Sequence, residues 1–387
     1  MSAILHRAPA ARETILTHAR LILPDQELDG TLVLRDGLIA DVQPGRAHHP
    51  SALDCGGEVL MPGVVDVHTD NLERQVMPRS NARWPSRSAF LSHDAQCAVA
   101  GVTTVLDALC LGDLGFDVER GKTFEDGVRD ITALTAEGVL KVEHLLHLRC
   151  ELPAADMPAL LDPVAEHPLV AMVSLMDHSP GVGQYRDLVR YRAMRLKTTR
   201  MTEAQIEARI AHLLEQRGRL REPQRRMVLD RFAGRDVPLA SHDDEMPSEV
   251  ARNAADGIMV SEFPVTMEAA HEAARLGVAV IAGAPNIVRG GSHSGNVAAM
   301  DLVRAGAVDV LASDYVPPAL IEAAFAMAEV VGLPAAIATI TANAADMCRL
   351  QDRGRLAIGQ RADIVRVLPH KGIPVIRAVW RGGERVA

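Results

Sequence analysis

Aromatic side chains are scarce in this 387-residue chain, at 3% of it. A core built without them has to be aliphatic, and 48% hydrophobic residues supply one. An excess of positive charge is missing too: 41 Lys and Arg stand against 50 Asp and Glu, so the global balance does not suit a nucleic-acid backbone. The five cysteines, Cys55, Cys97, Cys110, Cys150 and Cys348, are odd in number and scattered, with no C-x-x-C pair. They offer neither a disulfide framework nor a thiolate metal site, and they suit a reducing compartment. Long apolar runs are also lacking. The stretch Val330–Ile340 is broken by Gly332 and Pro334, which argues against a membrane span, and Met1–Arg12 has no apolar segment behind a basic start, which argues against a signal peptide. The expectation is a cytoplasmic protein with no nucleic-acid or membrane partner.

What is present is organised around Val64-Val65-Asp66-Val67-His68-Thr69-Asp70-Asn71. The run begins as a buried strand and then turns polar, with Met61-Pro62-Gly63 as the turn that feeds it. His68 and Asp70 are two apart, so on an extended backbone both side chains leave the same face. An imidazole and a carboxylate converging at a strand end suit a divalent metal, although two such groups can also simply hydrogen-bond each other.

Residues 14–60 read as short strands separated by Pro-Asp, Asp-Gly and Pro-Gly turns, and Ala362–Val367 and Val375–Arg381 repeat that texture at the other end. Between them, apolar strand-like runs alternate with helical stretches: Thr103–Leu109, Val142–Glu151, Leu169–His178, Val237–Asp243, Ile258–Phe263, Val278–Pro285 and Val308–Tyr315 follow the first strand. Eight strands with crossovers predict an α/β chain with a (β/α)8 TIM-like barrel, the alternative being an open doubly wound sheet. The expected division is a small β-sandwich domain from 1–60 together with 354–387, and a catalytic barrel over 61–353. One segment, 184–235, breaks the rhythm. It carries 14 Lys and Arg against 6 Asp and Glu, and its Thr202-x-x-Gln205 start and Ile206/Ile210/Leu213 spacing predict a basic helical insertion on the barrel's C-terminal face.

Polar residues fall at the ends of these strands: His68 and Asp70 on the first, Glu151 on the third, Asp177 and His178 on the fourth, and His242, Asp243 and Asp244 on the fifth. Glu262 closes the sixth, Asn286 the seventh, and Asp314 the eighth, which we expect to face the first strand across the mouth. Three imidazoles and at least three carboxylates on one rim are enough for one or two divalent ions, sharing a carboxylate and clamping a hydrolysed group. His144 and His147, on the third strand, read as supporting or core residues. After the seventh strand, Arg289-Gly290-Gly291-Ser292-His293-Ser294 combines backbone access with side-chain donors ahead of a helix, which is chemistry for oxyanions, phosphate above all. Arg149 and the basic insertion add to it.

Met61-Pro62-Gly63, Gly101-Val102-Thr103-Thr104-Val105, and Gly354–Val365 with its Gly359-x-x-Ala362-Asp363 turn resemble the amidohydrolase superfamily over essentially the whole chain. More narrowly, His68–Leu72, His147–Glu151, Ser174–Gly181, Ala240–Asp244, Gly283–Asn296 and Ser313–Tyr315 are similar to the diphosphatases of the carbon–phosphorus lyase pathway. That resemblance implies metal-dependent hydrolysis of a ribose methylphosphonate triphosphate to the 5-phosphate and diphosphate. The expected metal ligands are His68, Asp70, Glu151, His178, His242 and Asp314, with Asp314 also taking the water proton. Arg149, Arg289, Gly290, Gly291, Ser292 and His293 are expected to bind substrate. One or two divalent ions are implied, Zn first and Mn second, and a homodimer suits the architecture. The chain departs from the superfamily pattern in three places: Asp70 replaces a second histidine, no lysine closes the fourth strand (Lys141 begins the third), and histidines close strands four and five rather than five and six. The same barrel would also serve hydrolysis of a cyclic amide or N-acyl C–N bond.

Overall fold

The computed structural model describes residues 13–79, 82–115, 120–292 and 295–387. The chain opens on β1 (Glu13–Ile22), β2 (Glu27–Arg35), β3 (Leu38–Pro44), β4 (Leu53–Asp54) and β5 (Val59–Pro62). It continues through β6 (Val64–Thr69), β7 (Val102–Leu111), β8 (Glu143–Glu151), β9 (Val170–Met176), β10 (Leu239–His242), β11 (Val260–Glu262), β12 (Ala279–Gly283) and β13 (Val310–Ala312). It ends on β14 (Ile364–His370), β15 (Ile373–Arg381) and β16 (Glu384–Arg385).

Both chain ends share one sheet, in the order β16-β15-β14-β5-β1-β2-β3 with β4 beside β1. The seam is antiparallel, with Met61 of β5 opposite Val365 of β14. Leu16, Leu21, Leu32, Leu34, Leu60, Ile364 and Trp380 form its apolar core. The passage from this sheet into β6 is tight. A Cβ on Gly63 would lie 2.2 Å from Thr103 Oγ1 and 2.8 Å from Asp363 Cβ, so only glycine lets the two layers meet there.

The second sheet runs β6 to β13 in sequence order, every neighbouring pair parallel. All six residues of β6 and all ten of β7 are buried, which is why these strands read as near-continuous apolar runs. Closure comes from a parallel bridge between Thr69 and Asp314, in which Asp314 N donates to His68 O (3.0 Å) and Asp70 N to Asp314 O (2.6 Å). The sheet is therefore a barrel and not an open doubly wound layer. Closure also corrects one expectation: Asp314 stands beside the first strand, held by two backbone bonds, and does not face it across the mouth.

After β9 the chain makes helices Leu188–Thr198 and Glu203–Phe232, the second opened by a capping box in which Gln205 N donates to Thr202 Oγ1 and Thr202 N to Gln205 Oε1. Asp177, just past β9, accepts from Arg217 Nε (2.7 Å) and Arg221 Nε (3.0 Å), fastening the long helix to the rim. Two of the segment's arginines are thus paired with the acidic rim of the barrel. Among the described residues, no helix is long and apolar enough to cross a membrane.

Candidate metal centre

The C-terminal ends of the barrel strands open into a cavity of about 350 Å³. Two donor groups sit in its floor. His68, Asp70 and Asp314 bring ligand atoms within 4.8 Å of one another, and so do His178, His242 and Asp243. Glu262, 0% exposed, joins them from below: Oε1 accepts from His68 Nδ1 (2.6 Å), and Oε2 from His242 Nδ1 (2.7 Å) and Ser174 Oγ (2.9 Å). Engaging both Nδ1 atoms leaves both Nε2 atoms for the cavity, which is how a carboxylate beneath a metal site orients imidazole ligands.

Asp243 joins His242 although the two are sequence neighbours, whose side chains would leave opposite faces of a strand. The chain turns left-handed at Asp243 (φ 57°), immediately after β10, and so brings its carboxylate back beside the imidazole. Strand alternation alone would turn it away from His242. The signal available in the sequence was the residue type, since Asp tolerates this conformation better than most side chains. Asp314 adopts the same conformation (φ 56°) at the end of the eighth strand.

The donors fit a divalent cation. Among the described residues, His178 Nε2 and Asp243 Oδ2 are buried with no hydrogen-bond partner, 4.0 Å apart, and His242 Nε2 lies 3.9 Å from the same oxygen. Each buried orphan costs roughly 1–3 kcal/mol, and a shared cation would relieve both. His178 is aimed by Glu151, whose Oε2 accepts from His178 Nδ1 (2.6 Å) and whose Oε1 accepts from the His178 amide (2.9 Å). With both oxygens engaged on one residue, Glu151 is not brought into either donor group, in contrast to His68, Asp70, His178, His242 and Asp314.

Charge is arranged to match. Burial would push the Glu262 carboxyl up, but His68 and the hydrogen bonds from His242 and His68 hold it well below the usual range. Burial would likewise lower the His68 imidazolium, yet Glu262 raises it to about 10. Asp70 is held below the ordinary carboxylate range despite its burial, chiefly by Arg149, whose Nη1 donates to Asp70 Oδ1 (2.7 Å). Burial and the neighbouring Asp70 charge push Asp314 to about 6.

Other expected residues are placed less directly. His147, between Ser174 and the Val67 carbonyl, lies in the barrel interior, and burial lowers it to about 3. His144 belongs to a separate buried network, with Nδ1 donating to Asp107 (2.8 Å), which also accepts from His93 Nε2 (2.6 Å). Histidines do close the fourth and fifth barrel strands, His178 just past β9 and His242 at the end of β10. Arg289, Gly291 and Ser292 line the cavity, with Gly290 between them, whereas His293 lies outside the described residues. The helix after this loop is short (Ala299–Arg304), and its Ala299 amide donates to Asn286 Oδ1 (3.0 Å), so that amide is already used within the protein. Arg120, from the helix Arg120–Glu137, and Arg195 also line the cavity, and neither was singled out from sequence.

Comparisons with known proteins bear on the family and the fold. No family model matches the chain. The chain is 39% identical over 376 residues to the alpha-D-ribose 1-methylphosphonate 5-triphosphate diphosphatase of Escherichia coli (strain K12), across 96% of this chain and 100% of that one. Among solved structures, the 5-methylcytosine deaminase of Klebsiella pneumoniae matches with a TM-score of 0.63 at 14% identity, over 97% of each chain. The dihydropyrimidinase of Brevibacillus agri matches with a TM-score of 0.62 at 11% identity, over 97% of this chain and 95% of the other. At such identities these two likenesses concern the fold alone.

Proposed function

Because this chain belongs to the alpha-D-ribose 1-methylphosphonate 5-triphosphate diphosphatase family, with the amidohydrolase fold, we propose that it hydrolyses that triphosphate to the 5-phosphate and diphosphate. It is then a hydrolase of phosphoric anhydride bonds serving phosphonate catabolism in the cytoplasm, on a small phosphorylated sugar. The observation that carries this reading is one cavity that joins two imidazole–carboxylate groups to Arg120, Arg149, Arg195 and Arg289. A triphosphate needs both kinds of group. A neutral cyclic amide brings no negative charge to the four arginines that line the cavity.

His68, Asp70 and Asp314 would hold one divalent ion and His178, His242 and Asp243 a second, with Glu262 and Glu151 orienting the histidines. Imidazole and carboxylate donors suit Zn²⁺ first and Mn²⁺ next. Such ions, when bound, lower the pKa of a water and neutralise phosphate charge. The remaining work belongs to the chain. Asp314, its backbone tied to His68 and Asp70, keeps its carboxylate fixed at the mouth, where it orients the attacking water and accepts its proton. The water oxygen bonds to phosphorus, the α,β anhydride bond breaks, and its electron pair leaves with diphosphate. Arg149 stabilises the charge that develops on the phosphoryl oxygens. Arg289 with Gly290, Gly291 and Ser292 supplies a further anion-binding edge.

Phosphorus NMR of the triphosphate with the metal-loaded enzyme, paired with elemental analysis, tests the reading. Diphosphate and a 5-phosphate are the expected products. Hydrolysis of a cyclic amide without diphosphate release would overturn it.

A further inference from the structure

The cavity has two cationic walls of unequal strength, on opposite sides of the barrel. Arg120 follows β7, Arg149 lies in β8, and Arg195 follows β9, so three guanidinium groups border one arc of the mouth. Arg289 follows β12, four strands round from β8 in a ring of eight, which is the far side. The donor groups of β6, β9, β10 and the segment after β13 lie between these walls.

Arg120 is half-buried at the cavity and holds a donor in reserve. Its side chain is 21% exposed; among the described residues its nearest carboxylate is Glu73 Oε1 at 3.6 Å from Nε, and that buried Nε has no hydrogen-bond partner. Arg149, by contrast, already donates to Asp70. A guanidinium presents its donors in a fixed fork that matches phosphate oxygens, and a desolvated one with an unmet N–H is better answered by an anion than by water. Arg289 is exposed and meets the Tyr315 hydroxyl at 3.4 Å, a single cation at the cavity edge.

The proposed substrate is equally lopsided. Its triphosphate carries several negative charges and its methylphosphonate ester a single one. We propose that the substrate lies across the mouth with its terminal phosphates on the Arg120–Arg149–Arg195 wall and its methylphosphonate on Arg289, and that Arg120 determines specificity for the polyphosphate end. The scissile anhydride then sits over the two donor groups. This assignment rests on the function proposed above.

Two substrates separate the walls: the complete ribose methylphosphonate triphosphate and ribose 5-triphosphate, which lacks the methylphosphonate. Arg120→Met keeps the length of the side chain and removes its charge. It should lower kcat/KM at least about tenfold, to the same extent on both substrates, and weaken competitive inhibition by inorganic triphosphate in parallel. Arg289→Met should lower kcat/KM about tenfold more on the complete substrate than on the truncated one. Metal content and melting temperature, measured on both variants, report folding. Equal losses on both substrates for Arg289→Met, or wild-type kinetics for Arg120→Met, would overturn the orientation while leaving the diphosphatase reading standing. A metal-loaded wild type that releases no diphosphate from either substrate would overturn that reading, and the orientation with it.

Discussion

Glu262→Gln keeps the shape of a buried side chain and removes the charge that two histidines share. Glu262 accepts from His68 Nδ1 (2.6 Å), His242 Nδ1 (2.7 Å) and Ser174 Oγ (2.9 Å) with no exposed surface. A carboxamide offers one accepting oxygen and an NH2 that only donates. One of the two imidazoles then faces a donor, and its neutral form must carry its proton on Nε2, the nitrogen turned to the cavity. A protonated Nε2 cannot ligate, so one donor group loses its histidine. Removal of such a supporting carboxylate typically costs about 10–100-fold in metal affinity, or roughly 1.4–2.7 kcal/mol. The metal-free fold should suffer as well, by roughly 3 kcal/mol, because His68 loses the anion that raises its imidazolium to about 10 against its burial. Competition with a fluorescent chelator measures the first effect and urea unfolding of metal-free protein the second. A variant that holds metal within twofold of wild type would refute the tautomer argument.

Three further outcomes are expected. Alanine at His68, Asp70 or His242 should strip bound metal while the far-ultraviolet circular dichroism spectrum is preserved; a variant retaining full metal by elemental analysis leaves the ligand set. Asp314→Asn should lower kcat at least about 10²-fold at saturating metal with KM little changed, since an amide cannot take the water proton. Recovery to within a few-fold on added metal would reduce Asp314 to a ligand. The third concerns pH: burial alone would lower the His144 imidazolium, but Asp107 and then Asp94 raise it from 6.5 to about 9. A folded pKa above the unfolded one means that this stabilisation is complete below about pH 6.5 and is lost as pH rises through 9. Urea midpoints of the wild type should therefore fall over that window more steeply than those of His144→Gln, and parallel curves would refute the assignment.

Local chemistry decided a great deal of this protein. Apolar runs buried on both faces specified the eight barrel strands, because a parallel strand covered on both sides has no polar face to show. The spacing of two in His68-x-Asp70 brought both side chains to one group, because strand alternation needs no tertiary information. Strand ends that turn polar located His178, His242 and Asp314 at the rim for the same reason. Contacts across space decided the rest. Asp243 enters the site through a left-handed residue that overrides alternation, and Glu151 meets His178 with both of its oxygens, a pairing that only the folded chain makes. Glu262 serves two histidines that stand 194 and 20 residues from it in sequence. Arg120 reaches the cavity from a helix whose sequence carries no mark of it. Asp314 became a neighbour of Asp70 only when the eighth strand bridged to the first, and barrel closure is a property of the whole ring, to which no single strand holds the key.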